Sequence, residues 1–94
     1  MTTHSIYIEK MKTQLDELNA SMTALEAKAS DAREDARDMY QQEMQKMRDQ
    51  SKIAVAKLAD MKTATEETWD TMVAEMEKVR DAFTHSFHYF KSQV

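Results

Sequence analysis

One uninterrupted apolar seam through the middle of the chain limits what it can fold into. Apolar or small residues recur there in alternating steps of four and three, at Tyr40, Met44, Met47, Ser51, Ala54, Leu58 and Met61. That spacing places them along one side of an α-helix. The chain contains no glycine and no proline that would break such a helix. The seam therefore predicts helix, and it is more informative about assembly than about chemistry.

The seam continues in both directions. On the N-terminal side it keeps a heptad spacing, typical of a left-handed coiled coil, through Ile8, Met11, Leu15, Leu18, Met22, Leu25, Ala29, Ala32, Ala36 and Met39. On the C-terminal side it changes to an 11-residue period, in which Met61, Met72, Phe83 and Val94 are equivalent. The sequence thus predicts a single all-α domain over residues 1–94, with frayed ends at residues 1–4 and 92–94.

The sequence leaves open where such a helix turns. One architecture is a continuous rod, and the other is a hairpin bent near residues 48–51, where Asp49 and Ser51 are weak helix formers. Asp31 with Glu34, and residues 63 and 66, also have the spacing of a capping box. Such pairs are common in charged helices, so residues 48–51 are the better candidate for a turn, and the continuous rod is the architecture we favour.

In either architecture the apolar stripe has to meet another helix. Folding or pairing the chain about residue 49 sets Ala29 and Ala32 against Trp69, which matches small residues with a large one. The same register sets Leu15 against Phe83, Met11 against Phe87 and Ile8 against Phe90. We therefore predict an antiparallel coiled-coil or four-helix-type homo-oligomer, a dimer or a tetramer. Its predicted interface comprises Ile8, Met11, Leu15, Leu18, Met22, Leu25, Ala29, Ala32, Trp69, Met72, Met76, Val79, Phe83, Phe87 and Phe90.

Charge and cysteine content exclude several functions. The formal net charge of −4 argues against a nucleic-acid partner, which would require a basic stripe. Without cysteine there is no thiolate nucleophile, thiolate metal site or disulfide. No apolar run approaches the ~20 residues that span a bilayer, and the N-terminus lacks the features of a secretory signal. We expect a cytoplasmic protein.

One cluster of metal-ligating residue types lies near the C-terminus. Asp81, His85 and His88 are spaced i, i+4 and i+7, which puts a carboxylate and two imidazoles on one helical face. Exposed histidines near the negative end of a helix have the same pattern without any metal. We favour that second interpretation and predict neither a metal nor any other cofactor.

The C-terminal tail concentrates aromatic residues, among them Phe83, Phe87, Tyr89 and Phe90. An amphipathic tail of this kind could lie on a lipid or granule surface. Few basic residues accompany it, which weakens attraction to anionic lipid. The favoured role of the tail is a hydrophobic contact with residues 6–11 of an antiparallel neighbour.

Two stretches resemble a known family. The opening Tyr7-Ile8-Glu9-Lys10-Met11-Lys12, with the QLDE at residues 14–17, and the later Trp69 are similar to small bacterial coiled-coil stress-response proteins, a largely uncharacterised family. That family often has tryptophan where this chain has Leu18. The resemblance implies a cytoplasmic helical protein without known enzyme activity, and it carries over no site residues.

The function predicted from these observations is a non-enzymatic, self-associating coiled-coil protein, made under stress, that acts as an interaction or protective scaffold. Its partner would be itself or another helical protein. The alternatives are a lipid- or granule-surface protein and, with less support, a metal-sequestering protein.

Overall fold

The computed structural model describes residues 3–31 and 34–93, and these contain three α-helices. Helix α1 spans Thr3–Ser30, α2 spans Glu34–Met61 and α3 spans Glu66–Gln93, each 28 residues long. The molecule measures 50 × 20 × 17 Å, and its long axis is close to the ~42 Å of one such helix. The all-α prediction is confirmed within the described residues.

Both predicted architectures are wrong in where the chain turns. Residues 48–51 are helical and lie in the middle of α2, so there is no central bend. A continuous rod would be about 130 Å long, far longer than the molecule. The chain turns instead after Ser30 and after Met61, next to the two pairs with capping-box spacing.

Side-chain contacts give the directions of the three helices. Ser51 donates to Asn19 and Arg48 pairs with Glu26, so residue numbers in α2 rise as those in α1 fall. Helices α1 and α2 are therefore antiparallel. Lys57 of α2 contacts Glu75 of α3, whereas Tyr40 contacts Phe90, so α2 and α3 are antiparallel as well. It follows that α1 and α3 run parallel.

The buried side chains form one core, and the central seam supplies its middle. Met47 and Ala54 are fully buried, and Met44, Leu58 and Met61 are nearly so. The other two seam residues, Tyr40 and Ser51, are half-buried. The seam is therefore the buried side of α2, as its periodicity predicts. The helices that cover it, α1 and α3, belong to the same chain.

The turn between α2 and α3 forms without a residue at positive φ among those the structure describes. Three consecutive backbone hydrogen bonds between residues three apart end α2. The last of them runs from the Ala64 amide to the Met61 carbonyl at 3.2 Å. The Thr68 hydroxyl then caps the start of α3: it accepts from the Thr65 amide at 3.1 Å, and the hydroxyls of the two threonines lie 3.2 Å apart. Hydroxyl groups and 3₁₀-type bonds therefore do here what glycine often does.

Replacing Thr68 with alanine should lower the free energy of unfolding by about 1 kcal/mol, because the Thr65 amide loses the hydroxyl that accepts its hydrogen bond. Thermal unfolding followed by circular dichroism should show a midpoint about 4–8 °C lower. Thr71→Ala is the matched control, because Thr71 is exposed within α3 and alanine is the better helix former. Equal midpoints for the two variants would mean that the Thr68 hydroxyl does not hold the turn.

Candidate protein interaction face

Helices α1 and α3 are joined tightly at one end, where their N-terminal turns meet in an aromatic cluster. The His4 ring stacks on Trp69 with ring centroids 3.7 Å apart and planes 10° apart. Tyr7 meets the same indole edge-on at 5.6 Å. The His4 imidazole also lies 3.3 Å from a carboxylate oxygen of Glu66. These contacts fix the axial register of α1 relative to α3, that is, which residues of the two helices lie side by side.

The next turn extends this junction with polar contacts. The Tyr7 hydroxyl donates to Glu77 at 3.4 Å. Burial, reinforced by the negative charge of Glu77, raises the pKa of the Tyr7 phenol. The Arg80 guanidinium donates to the Asp81 carboxylate at 2.9 Å and to the Gln14 side chain at 3.3 Å. Arg80 therefore spans the two helices with its charge largely balanced.

Beyond Arg80 the surface between α1 and α3 opens into two adjoining cavities that share Ser21. The first has a volume of about 290 Å³ and is lined by Gln14, Glu17, Leu18, Ser21, Arg80 and Thr84. The second, of about 350 Å³, is lined by Ser21, Ala24, Leu25, Lys28, Phe87 and Lys91. We call this surface the α1–α3 face. It has an apolar floor, small residues at its centre and charged residues on its rim.

Charge is unevenly distributed along this face. Asp70, Glu77, Thr84 and Lys91 are spaced seven residues apart, so they form one stripe along α3. The stripe is acidic towards the N-terminus of the helix and basic at its C-terminus. The corresponding stripe on α1 ends at Lys28, which lines the same cavity as Lys91. One end of the face is therefore basic.

A further cavity of about 360 Å³ lies between α1 and α2. Its lining includes Glu26 and Arg48, which are already paired with each other, and Tyr40. The Tyr40 hydroxyl donates to the Gln93 backbone carbonyl at 2.7 Å. The Glu26, Arg48 and Tyr40 side chains of this cavity thus serve contacts within the chain.

The predicted interface residues are used inside the chain. Of these, Met11, Leu15, Met22, Leu25, Ala29, Met76, Phe83, Phe87 and Phe90 are buried, and Ile8, Leu18, Trp69, Met72 and Val79 pack partly buried against them. Ala32 lies outside the described residues. Leu18, Leu25 and Phe87 also form the floor of the α1–α3 face.

The predicted pairing register is wrong within the chain. Because α1 and α3 are parallel, the N-terminal end of α1 meets Trp69, through His4 and Tyr7, rather than the end of α3 that carries Phe90. Ala29 lies at the opposite end of α1 from these contacts, so it cannot face Trp69. The physical reason is that two turns reverse the chain twice, whereas one central bend would reverse it once.

The weak candidate for a metal site, Asp81 with His85 and His88, is not supported by the structure. No group of three or more histidine, aspartate or glutamate side chains able to hold a metal ion occurs among the residues that the structure describes. Asp81 is engaged by Arg80, and the His88 ring packs against Phe87 with centroids 5.5 Å apart. His85 is exposed.

The aromatic tail likewise points inward. Phe83 and Phe90 are fully buried and Phe87 nearly so, and the Phe90 ring meets Tyr40 edge-on at 5.3 Å. Tyr89 is the exposed aromatic residue of this segment. Residues 6–11 are therefore not the neighbours of the tail, which packs on α2. No helix in the described part of the chain combines the length and apolarity needed to cross a membrane.

Scattered apolar residues on α2 do not make a second face. Ile53 and Val55 are each about half exposed. Two residues apart on a helix, they point about 200° away from each other. Isolated exposed apolar side chains of this kind are ordinary on protein surfaces.

Comparison with known proteins finds no matching family model, no similar curated protein and no similar solved structure. The functional argument therefore depends on the α1–α3 face itself.

Proposed function

We propose that this protein is a non-enzymatic helical bundle that self-associates through the α1–α3 face and works as an interaction or protective scaffold. The observation that carries the proposal is the pair of adjoining cavities between two parallel helices. Helices α1 and α3 meet closely at the His4–Trp69 junction, whereas further along two cavities open between them, lined by the half-buried Leu18 and the nearly buried Leu25 and Phe87. A helix laid along this groove would fill the cavities and cover Leu18.

The centre of the face favours a close helical neighbour. Ser21, Ala24 and Thr84 are small, so the backbone of a second helix can approach before side chains collide. The distance from Gln14 to Lys28 along α1 is about 21 Å, which is enough for roughly four turns of a docked helix. A fourth helix would convert the three-helix bundle into the common four-helix arrangement.

A protective role in stressed cells is the part of the proposal supported by the resemblance of residues 7–17 and Trp69 to small bacterial stress-response proteins. In this role the self-associated form acts as a store, and the freed face binds apolar segments of other proteins. Its test is whether the purified protein suppresses light scattering by a heat-denatured enzyme. An unchanged rate of aggregation at equimolar protein would contradict the protective role.

Self-association is tested by blocking the groove. Light scattering after size-exclusion chromatography should show an average mass that rises with concentration for the wild type. Ser21→Trp should hold the protein as a monomer, because the indole fills the space between the cavities. Ala20→Trp is the matched control, since Ala20 is exposed and lines neither cavity.

A wild type that stays monomeric at high micromolar concentration would overturn the proposal. So would a dimer that Ser21→Trp leaves intact, because its interface would then lie elsewhere. Circular dichroism of both tryptophan variants checks that the helices remain folded.

A further inference from the structure

We propose that the occupant of the α1–α3 face is a second copy of the chain in antiparallel orientation, with Thr84 at the centre of symmetry and Lys91 opposite Glu77 of the second copy. This inference rests on the proposed self-association and specifies its geometry. It follows from the symmetry of the face and from the charges on its rim.

Symmetry restricts the choice to two arrangements. When two copies present the same face to each other, the two-fold axis lies in the plane of contact. An axis across the helices stacks α1 on α1 and α3 on α3, with each pair antiparallel. An axis along the helices stacks α1 on α3, with each pair parallel. In both arrangements four helices meet around the apolar floor.

Charge distinguishes these two arrangements. The parallel one brings Lys28 of one copy towards Lys91 of the other, because both line the same end of the face. Two such contacts would form, and each is repulsive. The antiparallel arrangement places that basic end against the N-terminal half of α3, where Glu77 lies. Attraction replaces repulsion, so the antiparallel arrangement is favoured.

The heptad stripe on α3 fixes the register. Thr84 is seven residues from Glu77 and seven from Lys91, so a two-fold axis at Thr84 sets each Lys91 opposite the other copy's Glu77. Ser21 lines the same cavity as Thr84, so it lies at the same height and also meets its own equivalent. On α1 the axis at Ser21 then sets Lys28 opposite Gln14. Two small residues thus occupy the centre, where the helices approach most closely.

The remaining charges on the face are compatible with this register. Arg80 comes level with His88 of the second copy, and its guanidinium is already paired with Asp81. Glu17 comes level with Leu25 of the second copy. Lys28 of that copy is three residues further along, so its ammonium group is within reach of the Glu17 carboxylate. Asp70 extends past the end of the second copy's α3. No like-charged pair of unbalanced groups is brought together.

Thiol cross-linking tests the centre of symmetry. The chain has no cysteine, so a single introduced thiol reports one position without ambiguity. Thr84→Cys should oxidise rapidly to a disulfide-linked dimer, because its equivalents meet at the axis. Ala82→Cys is the control: Ala82 is exposed on the same helix and faces away from the cavities. A dimer that cross-links no better through position 84 than through position 82 would overturn the register.

Charge reversal tests the direction. Lys91→Glu should weaken dimerisation several-fold, since the two-fold axis duplicates each pair. Glu77→Lys should do the same, and the double variant should regain wild-type affinity. The differences should shrink at high salt. Lys78→Glu is the control, because Lys78 is exposed and lies about 100° around the helix from the stripe that carries Glu77.

The outcomes separate this inference from the proposed function. A monomeric wild type would refute self-association itself. A dimer that Lys91→Glu strengthens would instead indicate the parallel arrangement, in which the new carboxylate meets Lys28, and would refute only the antiparallel register. A dimer for which the double variant is weaker than either single variant would also refute the register and leave self-association standing.

Discussion

Replacing Asp49 with proline should lower the free energy of unfolding by about 3 kcal/mol or more, enough to unfold much of the protein near its growth temperature. Asp49 is exposed in the middle of α2, so its side chain contributes little beyond an exposed hydrogen bond from Gln45. Proline removes the amide that bonds four residues back and collides with the carbonyl of residue 45. The helix at the centre of the bundle would break where α1 and α3 both pack on it.

The matched control is Glu66→Pro. Glu66 is the first residue of α3, where an amide has no partner within the helix and proline is favoured. Its side chain is almost fully exposed, so the contact with His4 that it loses is weak. We expect this variant to unfold within about 0.5 kcal/mol of the wild type.

Urea unfolding followed by circular dichroism compares the two variants. The contrast separates the observed fold from the alternatives that the sequence left open. A hairpin bent at residues 48–51 would accept proline at position 49 and would be broken by proline at position 66. A stable Asp49→Pro protein would therefore show that the chain turns at its centre.

The buried stripe could be predicted from the sequence because a helix that is buried along one side needs apolar residues at helical spacing. Met47 and Ala54 stand seven residues apart in the seam, and both are fully buried. Each helix has to turn the same side inward along its whole length, so the spacing records the inward direction. The seam does not record which chain supplies the neighbouring helix, since a stripe buried in one chain looks the same as one buried in an oligomer.

The turns could not be placed with the same certainty because their signals are local and common. Thr65 and Thr68 cap α3 through hydroxyl contacts, and threonine pairs at this spacing occur inside many helices. The absence of glycine favours an unbroken helix, but the chain leaves α2 through 3₁₀-type bonds, and none of the described residues has a positive φ.

The α1–α3 face depends on the turns, so the sequence could not reveal it. The stripe of Glu77, Thr84 and Lys91 is legible in the sequence as charges seven residues apart. It becomes one face together with Ser21 only when two reversals of the chain bring α1 beside α3 in parallel. If one turn is placed wrongly in the prediction, the α1–α3 face cannot be predicted at all, although most residues of the core are still identified.

Phe83→Ala should destabilise the bundle by about 3–5 kcal/mol, the usual loss for a fully buried phenylalanine. The Phe83 side chain has no exposed surface and lies midway along α3. Removing the ring takes away its burial and leaves a cavity that rigid neighbouring helices fill only in part. Tyr89→Ala, on the same helix, is the matched control, because Tyr89 is 55% exposed and should change stability by less than about 1 kcal/mol.

The concentration dependence of this effect distinguishes core from interface. If Phe83 stabilises the single chain, the difference in unfolding free energy between wild type and Phe83→Ala should be the same at low and high protein concentration. If Phe83 instead packed between chains, the difference would grow with concentration, because association stabilises only the protein that can form it. Ser21→Trp should show the opposite pattern, with little loss in the dilute protein and a growing loss as the wild type associates. The two variants therefore separate the bundle's own core from the face through which it meets a second copy.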